Sequence, residues 1–149
     1  MIAVFLFILL GAEAKAEITP EQDLKRGMWT LNTWAIGNMA VGVPMSLQSA
    51  DPQTASFYQM NAGWNVVNAA LATPPLLRPK PVDPKRLATL FWVNAGLDVG
   101  YMAAGIWLHQ RGIASNDPQL IGWGQSIVLQ GGFLFAFDSA MGFRMMSHY

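Results

Sequence analysis

The stretch Val93–Gly105, V-N-A-G-L-D-V-G-Y-M-A-A-G, places one carboxylate, Asp98, inside an otherwise uncharged apolar run. A charge persists in such surroundings only if something neutralises, hydrates or hydrogen-bonds it. Asn94, Asp98 and Tyr101 are spaced i, i+4, i+7, which on a helix makes one polar stripe. Gly96, Gly100 and Ala104 recur every four residues and form a small-residue stripe on another face, of the kind that lets two membrane helices approach closely. The stretch reads as a helix with a polar interface and a packing interface.

Working outward, Leu87–Leu108 is interrupted only by Asp98, and no Asp, Glu, Lys or Arg lies between Arg26 and Asp51, Asp51 and Arg78, or Asp117 and Asp138. Each of these lengths approaches or exceeds the ~20 apolar residues that a membrane-spanning helix needs. Charged residues make up 12% of the chain, about half the ~25% of an ordinary soluble domain. At 149 residues one domain is expected. The absence of cysteine removes disulfide and thiol chemistry, and a formal net charge of zero argues against a nucleic-acid partner, which calls for a basic surface.

Helix starts are marked four times. Thr19-Pro20, Asp51-Pro52, Asp83-Pro84 and Asp117-Pro118 each set a side-chain acceptor before a proline suited to the first helical turn. The prolines are separated by 32, 32 and 34 residues. This regularity predicts an all-α fold, a four-helix transmembrane bundle of two hairpins, with helices at about 20–47, 52–72, 84–111 and 118–146 within one membrane domain, 17–149. Pro44 would bend or end the first helix, Thr73-Pro74-Pro75 would stop the second and Gly112 the third. The proline-rich linker 74–84, with basic residues in and after it, separates the hairpins. Before them, Met1–Leu10 is apolar and is followed by overlapping A-x-A patterns, so residues 1–16 read as a signal peptide. Cleavage there would put the mature N-terminus outside, whereas the basic residues, of which only Arg111 falls at the opposite end, predict the reverse orientation.

The helix-three pattern has a partner in helix two. Met60–Leu71 reads M-N-A-G-W-N-V-V-N-A-A-L, so that Asn61, Asn65 and Asn68 correspond to Asn94, Asp98 and Tyr101, and Gln130 and Asp138 form a looser echo in helix four. An amide in hydrocarbon costs several kcal/mol without a partner, so the stripes of helices two and three are expected to face each other or a wet cavity.

Three uses follow. The interior could bind a small polar ligand or cation; the polar residues could be interhelical glue in an accessory subunit, with Gly96, Gly100 and Ala104 packing on a complex partner or a second copy; or the protein could be an enzyme. The last is the weakest, since no nucleophile and base pair, phosphate loop or metal-ligand spacing is present, and His109 and His148 sit near helix ends. No cofactor is expected. The strings W-A-I-G-N-M-A-V-G (34–42), Q-M-N-A-G-W-N-V-V-N (59–68), N-A-G-L-D-V-G-Y (94–101) and L-Q-G-G-F-L-F-A-F-D (129–138) resemble a family of small bacterial multi-pass membrane proteins catalogued as a domain of unknown function. The resemblance, over roughly residues 25–145, implies the four-helix membrane fold and an N-terminal signal; the expected location is the bacterial inner membrane, with the lipid bilayer as partner. It implies no activity.

Overall fold

The computed structural model describes residues 18–149, and the expected signal segment lies outside them. The described chain is four α-helices: α1 (Pro20–Gln48), α2 (Pro52–Leu77), α3 (Pro84–Ser115) and α4 (Pro118–Met146). Each begins as its capping residue dictates. Thr19 and Gln22 close a reciprocal capping box. Asp51 accepts from the Thr54 N–H at 2.9 Å, Asp83 from those of Lys85 and Arg86, and Asp117 from those of Gln119 and Leu120. These bonds satisfy backbone donors that a helix start leaves without partners.

The ends depart from expectation at two places. Helix α2 continues through Pro74 and Pro75 to Leu77, and the Arg78 N–H donates back to the Pro74 carbonyl at 3.0 Å. A proline removes only its own N–H bond, and the helix stops where Arg78, pushed from helical geometry by Pro79, turns away. Helix α3 passes Gly112 and ends at Ser115, with Asn116 in the left-handed conformation at φ 52° as its cap.

Helix α4 is central. It packs along α3 on one side and along α2 on the other, while α1 lies mainly on α2. α3 and α4 meet along a heptad-like seam: Ala88, Phe91, Ala95, Asp98, Gly105 and Gly112 are the buried positions of α3. The backbones nearly touch here, since a Cβ on Gly105 would lie 2.9 Å from the Gly124 carbonyl oxygen and one on Gly124 would lie 2.5 Å from the His109 nitrogen. Gly96 and Gly100, by contrast, face outward, where an added Cβ would meet nothing within 4 Å, and Ala104 is exposed beside them. The close-packed glycines of α3 are therefore Gly105 and Gly112.

The start of α1, the 78–83 linker and the end of α4 share one end of the bundle. Asp23 meets Arg144 at 3.3 Å and His148 at 3.0 Å, and the Val82 N–H donates to Glu21 at 3.1 Å. Among the described residues nine polar or charged side chains are buried, while large apolar ones such as Leu47, Leu71 and Trp107 are exposed. Among the same residues one helix, α4, is long and apolar enough to cross a membrane by length and composition, with a mean hydropathy of 1.4 in its apolar window.

Candidate functional site

Six of the nine buried polar side chains fall into two regions, while Asn32 donates to Thr73 Oγ1 at 2.9 Å apart from them. The first is a chain of amides where α1, α2 and α4 meet. Trp34 Nε1 donates to Gln130 Oε1 at 3.0 Å, Gln130 Nε2 to Asn61 Oδ1, and Asn61 Nδ2 to Asn38 Oδ1 at 2.9 Å; Asn38 Nδ2 closes the loop on the Trp34 carbonyl at 2.8 Å. Along α2, Asn65 Nδ2 donates to the Asn61 carbonyl at 2.7 Å, and Asn68 Nδ2 to Asn65 Oδ1 at 3.3 Å. Asn65 and Gln130 are fully buried. Each amide carries both a donor and an acceptor, so the chain can satisfy itself without a ligand. Trp34 is fixed from its other side by stacking on Phe133, with ring centroids 3.9 Å apart.

The second region is in the α3–α4 seam. Asp98 and Asp138 are both buried, and their carboxyl groups are neighbours across the seam. No donor among the described residues points at the buried Asp98 Oδ2. Nor is a cation at hand. Between Arg86 and Arg111 α3 has no Lys or Arg, and the one Arg of α4, Arg144, is engaged by Asp23. A carboxylate has acceptors only, so two of them can bond to one another only through a proton, or be bridged by a cation. Among the described residues no three His, Asp or Glu side chains cluster as metal ligands.

The sequence stripes map onto this geometry unevenly. Asn61, Asn65, Asn68, Asp98, Gln130 and Asp138 are inside, whereas Asn94 and Tyr101 are exposed. The reason is a rotation. The inward line of α3 runs through Ala95, Asp98 and Gly105, and the Asn94–Asp98–Tyr101 line shares only Asp98 with it. The expected pairing of the α2 and α3 stripes is replaced by contacts of each with α4, and Tyr101 reaches α2 only as an edge-on ring against Trp64, at 5.1 Å between centroids. Trp34 and Asn38 were outside the sequence-based set. Their signal is the i, i+4 spacing that sets a ring and an amide on one face of α1.

A family model matches residues 30–139, close to three quarters of the chain and spanning from α1 to α4. The chain belongs to a family of unknown function, DUF6992. All the amides of the network and both seam carboxyls lie inside the stretch matched by DUF6992. No curated protein and no solved structure matches the chain.

Proposed function

We propose that this DUF6992 protein is a membrane-embedded four-helix bundle, binding and not catalytic, whose α3–α4 seam holds an exchangeable proton between Asp98 and Asp138. Membrane embedding is supported by the inverted distribution of side chains. Val66, Val67 and Leu71 of α2 are exposed while Asn61, Asn65 and Asn68 are buried, the reverse of a bundle that faces water. The same inversion explains why α1–α3 are less apolar overall than α4: their polar residues point inward, where partners satisfy them. At 26 to 32 residues the helices are each longer than the ~20 that a span requires.

The observation that carries the binding reading is the buried pair of neighbouring carboxyls with, among the described residues, no cation paired to either and no donor on the buried Asp98 Oδ2. Two ionised carboxylates at that depth would each cost at least ~2.5–3.5 kcal/mol before their mutual repulsion is counted. A proton removes one charge and supplies the missing donor. A pair that shares one proton carries a single negative charge, and the competitor that replaces the proton without changing that charge is a small monovalent cation.

The test is exchange in sealed vesicles. Reconstituted protein with a pH-sensitive dye inside should take up or release protons when a Na⁺ or Li⁺ gradient is applied, and Asp98→Asn should abolish the signal. Equal responses from the parent and from Asp98→Asn and Asp138→Asn would defeat the binding reading. A second reading, an accessory subunit in which all interior polar groups are glue, is favoured by the self-satisfied amide chain and by the outward Gly96, Gly100 and Ala104. It predicts a stoichiometric membrane partner in a pull-down from native membranes, lost in Gly100→Leu.

A further inference from the structure

The end of the bundle that gathers the start of α1, the 78–83 linker and the end of α4 is strongly basic. Among the described residues it holds seven Lys or Arg side chains against three carboxylates, while the other end has Arg111 against Asp51 and Asp117. At the basic end a cavity of about 420 Å³ opens between α1 and the linker. Three cations line it: Lys25 from α1, and Arg78 and Lys80 from the linker. Its walls are apolar, from Leu24, Pro75 and Val82 among others.

The two α1 carboxylates at this end are already engaged. Glu21, on the cavity wall, accepts the Val82 N–H, which holds its carboxyl below the usual carboxylate range. Asp23 bridges Arg144 and His148. Lys25, Arg78 and Lys80 form no ion pair among the described residues. The linker that carries two of them is stiffened by Pro79 and Pro81, so the cations are presented with little backbone freedom to lose on binding.

We propose that this cavity binds the phosphate of an anionic phospholipid, with Lys25, Arg78 and Lys80 around the headgroup and the leucine and proline wall against the glycerol and upper acyl chain. The inference rests on the membrane reading above. A basic recess at the level where helices leave the apolar layer meets headgroups, and the apolar wall favours a lipid over a free anion. Occupancy would fix the basic end in a leaflet rich in anionic lipid, with each of the three cations around the phosphate strengthening its binding about five-fold.

Full-length protein in neutral detergent micelles is titrated with a short-chain phosphatidylglycerol, a short-chain phosphatidylcholine and inorganic phosphate, and bound lipid is counted by native mass spectrometry. The expected result is preferential retention of phosphatidylglycerol, a much weaker response to inorganic phosphate, and loss of the preference, on the order of a hundredfold, in the triple variant K25Q/R78Q/K80Q. A control variant, K85Q/R86Q, removes two cations of the same end outside the cavity and should keep the preference to within a few-fold. Equal retention of the two lipids, equal binding of inorganic phosphate, or loss of the preference in the control as large as in the triple variant overturns the proposal. Helical content measured by circular dichroism verifies that both variants fold, as exposed side chains allow. Release of the protein from membranes by alkaline carbonate would reject the membrane reading itself, and the lipid site with it. Retention in carbonate with no lipid preference rejects the site alone.

Discussion

The amide chain of α1, α2 and α4 and the carboxyl pair of α3 and α4 are both buried polar regions, and they solve the same problem in opposite ways. Asn38, Asn61, Asn65, Asn68 and Gln130 each bring a donor with their acceptor, so the chain closes on itself and on Trp34. Asp98 and Asp138 bring acceptors only and find no basic partner among the described residues. A closed network is a clasp that holds helices together. An open one lacks a donor of its own, and the proposed proton would fill that lack.

The contrast is broken most severely by wedging the seam apart. Gly124→Leu would drive a side chain into the backbone of α3 at His109 and Gly105, and should cost more than ~3 kcal/mol in thermal unfolding followed by circular dichroism in detergent. Opening the clasp comes next. Gln130→Leu strands Trp34 Nε1 and leaves Asn61 Oδ1 without that donor, an expected loss of about 1–3 kcal/mol. Asp98→Asn sharpens the comparison, because it gives the seam the donor that the clasp already has. Stability should stay within ~1 kcal/mol of the parent, and proton exchange should vanish. A large loss of stability in this variant would mean that the seam is structural in the same sense as the clasp.

Smaller still is Gly100→Leu, which meets open space and should leave unfolding of the purified protein unchanged. The smallest effect concerns the caps. The Thr54 hydroxyl and N–H hold Asp51 below the usual carboxylate range, as the Val82 N–H does for Glu21. A carboxyl whose folded-state value is depressed contributes its stability above its unfolded value and loses it as pH falls through the folded one. Acidification through and below the ordinary carboxylate range should lower the melting temperature slightly, and Asp51→Asn, which keeps a capping oxygen, should reduce that slope.

Local chemistry made the four helices legible. Thr19, Asp51, Asp83 and Asp117 cap their own next turn, so nothing distant was needed to read them. The end of α2 was harder, because Pro74-Pro75 looks like a stop and the stop is set by Arg78 before Pro79. Periodicity identified Asp98 as special but could not choose between two stripes that cross at it. Asn94 and Tyr101 lie about 40–60° around the helix from Asp98 on the side away from Ala95, a rotation that only packing against α4 resolves. The same rotation puts Gly105 and Gly112, not Gly96 and Gly100, where backbones touch. The meeting of Asp98 with Asp138 depends on two helices and leaves no mark in either one alone.

Infrared spectroscopy of the purified protein at neutral pH in a choline-based buffer would detect a proton held between Asp98 and Asp138. The expected spectrum holds the carbonyl stretch of one protonated carboxylic acid per chain, absent from both Asp98→Asn and Asp138→Asn. A spectrum with no protonated carboxyl, or one whose band survives unchanged in both variants, would contradict it.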